Sequence, residues 1–289
     1  MNSDAIVPLD HFGFFSITGR DAEKFLQGYT TCDLGALGDA KVMRGAICNI
    51  KGRMVSNFLV TRIESGLLLR LHRDLVEPTL SFLGKYIVFS KAEMQNKSDE
   101  LTCYGIVGDS LTAGTEDLTQ EPSGVTHPEA GTYLNIGQGN YEIWSSSKLE
   151  AAGSLNQWLA SEIAAGVVWV DADTSEEYIP QMFNLHNIQG ISFDKGCYLG
   201  QEIVARMQYR GELKKRLHLV QVSVDDEASV KIGARILSAE EKNLGHVVGQ
   251  AGNHLALVIK AGEAHYQLED GTQISPTEVA EEALGASAG

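Results

Sequence analysis

The segment KGCYLGQE, residues 195–202, constrains this 289-residue chain more than any other stretch. It places one cysteine, Cys197, between two glycines and two residues after Lys195. Apolar residues at helical spacing follow, and Gly211 ends them, so the segment predicts a loop that turns into a short helix. Because a helix N-terminus and a nearby ammonium both favour a thiolate, Cys197 is a candidate reactive thiol. A structural cysteine at a tight turn would give the same pattern.

Hydrophobic periodicity along the chain predicts an α+β protein. Apolar residues at helical spacing predict helices at 22–29, 74–85 and 148–165. Alternating or continuous apolar runs predict strands at 42–47, 54–63, 67–71, 101–107, 133–136 and 141–144. Residues 109–131, rich in Gly, Thr, Glu and Pro, are predicted to be a loop. From Leu217 onward, short strands separated by turn residues predict a small all-β module that is barrel-like.

Composition narrows the class of protein. The chain lacks an apolar run long enough for a membrane span, and its first residues do not have the pattern of a secretory signal. Its four cysteines are widely spaced and form no CxxC pair, which argues against a disulfide framework or a metal site. We therefore expect a cytoplasmic protein with reduced thiols and no membrane partner.

Charge argues against general nucleic-acid binding, because the net charge is −15. One stretch is an exception, with six basic residues close together: Lys195, Arg206, Arg210, Lys214, Lys215 and Arg216. They predict a basic rim for an anionic ligand, or a small RNA contact. A solvated helix end followed by an exposed turn is the alternative. The last part of the chain, after Lys260, carries acidic residues without Lys or Arg and is predicted to be a frayed tail.

Four segments together resemble the YgfZ family, folate-binding proteins related to the aminomethyltransferase of glycine cleavage. Residues 195–202 match the motif K-G-C-Y-x-G-Q-E, and residues 21–33, 49–54 and 179–193 match in the family's order. The resemblance implies an aminomethyltransferase-like folate-binding fold of three modules. The expected boundaries are an N-terminal α+β folate-binding module at 1–95, a second α+β module at 96–210, a β-barrel at 211–265 and an acidic tail at 266–289.

The resemblance also implies a binding site for tetrahydrofolate or a derivative. Glu142 matches the glutamate that contacts the pterin ring in relatives, although an exposed strand residue would fit the pattern as well. Asn57 stands where relatives place an aspartate beside the reactive folate nitrogen, and an amide cannot take a proton. Glu162 stands where relatives carry an arginine. Trp169 and Trp144 are candidates for stacking on a ligand ring or for the core.

The candidate cofactor-binding residues are Asn57, Glu142, Lys195, Tyr198, Gln201, Glu202 and Arg206. Cys197 is a possible catalytic residue of unassigned role, with His186 as a conceivable partner, and no metal ligands are predicted. A lone cysteine cannot hold an iron–sulfur cluster by itself.

Three functions remain open at this point. The resemblance favours a folate-binding accessory protein that supports assembly or repair of iron–sulfur enzymes. Through those client proteins it would support tRNA modification and, indirectly, regulation of replication initiation. The alternative is a tetrahydrofolate-dependent one-carbon transferase, against which Asn57 argues. The second alternative is a direct tRNA-binding factor that uses residues 195–216.

Overall fold

The structure is a computed structural model that describes residues 6–107, 123–127, 131–137, 140–221, 230–260 and 266–274. Within these ranges the chain forms three antiparallel sheets and four α-helices. The strands are β1 (Ile6–Pro8), β2 (Phe12–Thr18), β3 (Val42–Cys48), β4 (Met54–Ile63), β5 (Gly66–His72), β6 (Glu93–Asn96), β7 (Thr102–Ile106), β8 (Ser123–His127), β9 (Gly131–Gly137), β10 (Asn140–Ser145), β11 (Arg216–Gln221), β12 (Arg235–Leu237), β13 (Asn243–Ala251), β14 (His254–Ile259), β15 (Tyr266–Leu268) and β16 (Gln273–Ile274). The helices are α1 (Ala22–Gln27), α2 (Val76–Gly84), α3 (Leu155–Ala164) and α4 (Gln201–Arg210).

The first sheet has the strand order β3-β4-β5-β2-β6, and its two faces have different neighbours. Side chains alternate between the faces of a strand. On one face, Phe15, Phe58 and Leu71 belong to the core cluster that contains residues of α1 and α2. On the other face, Phe14 and Leu59 pack in a cluster with residues of the second sheet. The first sheet therefore separates a helix-covered side from a side that faces the second sheet.

The second sheet has the order β1-β7-β10-β9-β8, so the N-terminal strand pairs with β7 and not with the first sheet. The third sheet has the order β11-β14-β13-β12-β15-β16 and curls into a half-barrel. Helix α3 packs against β13 and β14 of that sheet. None of the helices in the described part of the chain has the length and apolar character needed to cross a bilayer.

The predicted α+β class with a curled C-terminal sheet is confirmed. The predicted strand at 54–63 is present with those bounds as β4. The helix predicted for 148–165 begins only at Leu155, because Ser154 caps it. In the segment before it, the Leu149 amide donates to Tyr104 Oη and the Gly153 amide donates to the Ile6 carbonyl, so these amides are not used in a helix.

The predicted loop at 109–131 is wrong for residues 123–127, which form β8 and pair with β9 in a register that aligns Val125 with Tyr133. Tertiary strand pairing outweighs the turn-rich composition there. Residues 108–122 and 128–130 lie outside the described residues.

The predicted tail begins too early. Residues 266–274 form β15 and β16, because Tyr266, Leu268 and Ile274 are buried in the core of the half-barrel. Residues 275–289 lie outside the described residues. The other module boundaries stay a prediction.

Candidate functional site

A buried ion pair joins the first and second sheets. Arg70 of β5 donates from Nε to Glu142 Oε2 at 3.2 Å and from Nη2 to Glu142 Oε1. Both side chains are fully buried. Glu142 Oε2 also accepts from Trp144 Nε1 at 2.7 Å and from Cys103 Sγ at 3.4 Å. A buried carboxylate with a bidentate arginine is a fixed, directional polar anchor.

Further charged and aromatic groups surround this pair. The Arg70 guanidinium lies 4.1 Å from the centre of the Trp169 ring, and Trp169 donates from Nε1 to Glu162 Oε1 at 2.8 Å. Arg44 lies 5.6 Å from the same ring and donates to the Ile136 carbonyl at 2.9 Å. We call Arg44, Arg70, Glu142, Glu162 and Trp169 the inter-sheet cluster. Trp169 is its partly exposed member.

Burial shifts the titration of these groups. It raises the pKa of Glu162 to about 7, against the opposing effects of Arg70 and the Trp169 hydrogen bond. Burial and then the charge of Arg70 lower the pKa of His11 to about 3, so this neighbour is neutral near pH 7. Burial lowers the pKa of Arg44 to about 10, so Arg44 stays charged.

Two buried polar atoms, one in the inter-sheet cluster and one on the neighbouring His11, lack a partner in the part of the chain that the structure describes. Arg70 Nη1 and His11 Nε2 are buried and, among the described residues, bind no other group. An unsatisfied buried donor costs free energy of about 1–3 kcal/mol, more for a charged group. Such atoms indicate a place for water or a polar ligand beside Glu142 and Trp169.

Asn57 lies close to this cluster but its amide serves the backbone. Its Nδ2 donates to the Val168 carbonyl at 2.9 Å, and its Oδ1 accepts from the Val170 amide at 2.8 Å. Asn57 therefore bridges β4 to the segment that carries Trp169. This arrangement positions Trp169 and uses both ends of the Asn57 amide.

Lys195 lies on the other, helix-covered side of the first sheet. Its Nζ donates to the carbonyls of Gln27, Thr30 and Cys32 at 2.8, 2.7 and 2.7 Å. Burial lowers the pKa of Lys195 to about 8. The expectation that Lys195 belongs to a basic rim is therefore wrong, because its ammonium is buried and holds the α1 turn.

The other segments of the family resemblance meet at the same place. Gly200 and Gly52 have positive φ angles of 84° and 70°, and a Cβ on Gly200 would lie 2.4 Å from the Asn49 carbonyl. The Ser192 amide binds the Thr31 carbonyl, and the Leu199 amide binds the Gly28 carbonyl. Residues distant in sequence thus form one compact unit around Lys195. The glycine at 200 allows this close backbone packing.

Cys197 is the exposed cysteine of this unit, whereas Cys32, Cys48 and Cys103 are buried. Burial raises the pKa of the Cys32 thiol to about 11 and also raises the pKa of the other two buried thiols. Cys197 lines a cavity of about 530 Å³ together with residues of α1 and of the segment after α2. We call this cavity the cysteine cleft. The aromatic residues that line it are Phe25, Tyr29, Tyr86, Phe89 and Tyr198.

Burial and then the charge of Arg216 lower the pKa of His186. In the part of the chain that the structure describes, no hydrogen bond joins His186 to Cys197. The pairing of these two residues stays a prediction. Among the described residues, no three His, Cys, Asp or Glu side chains are grouped to hold a metal ion.

The predicted cofactor-binding residues do not form a single group. Glu142 lies in the inter-sheet cluster with Asn57 beside it. Lys195 and Tyr198 lie on the opposite side of the first sheet, and their contact is a cation–π pair of 5.2 Å. The remaining three are on α4: Gln201 is partly exposed, and Glu202 and Arg206 are exposed.

Sequence reasoning missed Arg70, Arg44 and His11. The signal for Arg70 was a single arginine inside the apolar strand Leu67–Leu71, because a charge within a buried strand needs a partner. Its partner, Glu142, is 72 residues away and has no local pattern that identifies it.

The fold and site define the class of protein. The structure is similar to aminomethyltransferase T of the glycine cleavage system from Bartonella henselae, with a TM-score of 0.68 over 93% of this chain and 83% of that chain, at 12% sequence identity. At that identity the likeness establishes an aminomethyltransferase-like fold.

Sequence relatives identify the family. The chain is 34% identical over 275 residues to the tRNA-modifying protein YgfZ of Escherichia coli O157:H7 (strain EC4115 / EHEC), which spans 85% of this chain and 84% of that protein. It is 33% identical over 283 residues to the tRNA-modifying protein YgfZ of Colwellia psychrerythraea (strain 34H / ATCC BAA-681), over 92% of this chain and 82% of that protein. The chain matches no family model. It belongs to the YgfZ family.

Proposed function

We propose that this chain is a folate-binding accessory protein of tRNA modification, acting in the cytoplasm on iron–sulfur enzymes. Tetrahydrofolate or a derivative is its cofactor. One observation supports the folate assignment most. Among the described residues, Arg70 Nη1 has no hydrogen-bond partner, and it lies beside Glu142 in a buried cluster that is in contact with the Trp169 ring.

The inter-sheet cluster fits the polar edge of a pterin. That edge presents N–H donors and a carbonyl acceptor side by side, so it needs both a carboxylate and a donor. Glu142 Oε2 already accepts from Trp144, Arg70 and Cys103, whereas Oε1 accepts from Arg70 Nη2 and so retains a lone pair for a further donor. Arg70 Nη1 supplies the donor, and the partly exposed Trp169 ring supplies a stacking surface.

The bound folate would supply one-carbon chemistry, and the residues of this chain would bind and orient it. Asn57 has no acid or base function, and its amide is bonded to the backbone of Val168 and Val170. For this reason we do not propose aminomethyl transfer. Glu162, with a pKa of about 7, is the group of the cluster that can hold or release a proton near neutral pH.

Cys197 provides the contact with client proteins in this proposal. It is exposed and lies in the cysteine cleft, on the side of the first sheet opposite the inter-sheet cluster. Support for iron–sulfur clients comes from the family resemblance together with this accessible thiol. In cells that lack this protein, a tRNA modification that depends on it should be restored by the wild-type chain and not by Cys197→Ala.

The folate assignment is tested by anaerobic calorimetric titration with tetrahydrofolate. Wild type should bind, Cys197→Ala should bind with the same affinity, and Trp169→Leu should bind roughly two- to tenfold more weakly, because aromatic stacking contributes about 0.5–1.5 kcal/mol. Phe89→Leu is the matched control, since it removes an exposed aromatic ring on the helix-covered side. Absence of binding by wild type, or equal binding by Trp169→Leu, would overturn the assignment.

A further inference from the structure

Helix α4 presents a basic and aromatic face to solvent. Its apolar side contains Val204, which is buried, while Arg206, Tyr209 and Arg210 are exposed. Residues three and four apart lie on the same side of a helix, so these three share one face. Tyr209 is 69% exposed, so its ring is available to a partner in solution.

A second aromatic ring adjoins Tyr209. The Phe193 ring lies 6.0 Å from the Tyr209 ring at an interplanar angle of 68°. Phe193 is partly exposed and comes two residues before Lys195, which is anchored by three backbone carbonyls. The ring pair is thus held on a fixed part of the structure.

Positive charge continues beyond the helix. Lys214 and Arg216 are exposed and follow Arg210 within six residues, a span of at most about 20 Å. Among the described residues, Arg206, Arg210, Lys214 and Arg216 form no ion pair, unlike the surface pairs elsewhere such as Lys231 with Asp173. In a chain of net charge −15, these unneutralised cations form a local basic surface.

We propose that this surface, Phe193, Arg206, Tyr209, Arg210, Lys214 and Arg216, binds a single-stranded segment of RNA. Single strands are held by cations that follow the phosphates together with aromatic rings on which bases stack, and this surface offers both. An acidic protein segment would use the cations but has no need of the exposed ring pair. The helix is ten residues long, which is about 15 Å from end to end. An RNA strand that lies along it would therefore extend from the basic residues at its C-terminal end towards the exposed Cys197 loop before its N-terminal end.

This inference rests on the proposed role in tRNA modification and adds a direct RNA contact to it. Its test does not depend on folate, because it measures RNA binding of the folate-free chain. If the chain fails to bind RNA, the result of the folate titration still stands. If the chain fails to bind folate, the RNA-binding measurement still stands.

The experiment is fluorescence anisotropy of a labelled single-stranded oligoribonucleotide and of total tRNA, titrated with the full chain over a range of salt concentrations. Wild type should bind with an affinity that falls as salt rises. Arg206→Gln with Arg210→Gln should flatten the slope of log K against log salt by about 1.4, since a single strand contributes about 0.7 for each neutralised phosphate. Tyr209→Ala should weaken binding roughly tenfold, and Tyr209→Phe should restore it.

The matched control is Lys148→Gln with Lys242→Gln, which removes the same charge from exposed positions in the segments after β10 and before β13. It should leave the salt slope unchanged. The proposal is overturned if wild type fails to bind RNA at low salt, or if the α4 variants bind like wild type. It is also overturned if a labelled polyglutamate peptide binds in an Arg206- and Arg210-dependent manner while RNA does not, which would make the surface a protein-docking site.

Discussion

The Nζ of Lys195 lies 2.7 Å from the carbonyl oxygen of Cys32, across 163 residues of sequence. The same ammonium binds the Thr30 and Gln27 carbonyls, so one side chain joins the segment 195–202 to the turn after α1. The exposed position of Cys197 depends on this anchor, because it fixes the backbone two residues away.

Replacing this anchor should destabilise the fold. Lys195→Met keeps the length of the stem but leaves three carbonyls without their donor, and each hydrogen bond to a charged group contributes about 1.5–3 kcal/mol. Because burying the ammonium offsets part of this gain, we expect a net loss of about 3 kcal/mol in the free energy of unfolding, measured by urea denaturation. The control Lys148→Met, at an exposed position, should change it by less than about 0.5 kcal/mol. Equal stability of the two variants would show that the carbonyl contacts do not hold this turn.

The two glycines beside Cys197 should respond differently to alanine. Gly200 has a φ of 84°, and an added Cβ would lie 2.4 Å from the Asn49 carbonyl oxygen, so Gly200→Ala should cost roughly 2 kcal/mol or more. Gly196 has open space around its Cα, so Gly196→Ala should be nearly neutral. Thermal unfolding of the pair measures the difference. Similar melting temperatures of the two variants would mean that the backbone at Gly200 is not packed tightly against Asn49.

Glu162 should make stability fall as pH rises. Between pH 4.5 and about 7 the unfolded chain has released this proton while the folded chain retains it, since burial raises the pKa to about 7. The stabilisation that the protonated Glu162 contributes is complete below pH 4.5 and is lost through that window, by about 3 kcal/mol, since one pKa unit corresponds to about 1.4 kcal/mol. Glu162→Gln, which keeps an oxygen acceptor for Trp169, should lack this loss.

The comparison for Glu162 uses urea unfolding of both proteins across this pH range, followed by circular dichroism. The difference between them isolates Glu162 from His11, whose pKa of about 3 makes stability fall in the opposite direction, as pH drops below 6.5. Parallel pH curves for the two proteins would contradict the assignment of a protonated Glu162.

Thiol accessibility should separate Cys197 from the other three cysteines. Maleimide treatment of the native protein should add a single label at Cys197, because Cys32, Cys48 and Cys103 are buried and burial raises their pKa values. Mass spectrometry should find four labels after denaturation and none on native Cys197→Ala. Rapid native labelling of Cys103 would contradict the closed environment around Glu142.

The sequence predicted elements whose signals are local. Strand β4 follows from its apolar run after the Gly52 turn, and α4 lies between Gly200 and Gly211 as the glycines indicate. Contacts between distant residues were not predictable in this way. The Arg70–Glu142 pair crosses two sheets, and the direction of Lys195 depends on carbonyls of a turn more than 160 residues earlier. For the same reason the candidate site residues were named individually, while their division between two sides of a sheet was not foreseen.

Folate binding at the inter-sheet cluster is tested by a crystal structure of the protein with a bound reduced folate. We expect density for the pterin beside Arg70 Nη1 and Glu142 Oε1, with the Trp169 ring stacked against the pterin. Pterin density in the cysteine cleft instead, with the inter-sheet cluster unchanged, would contradict it.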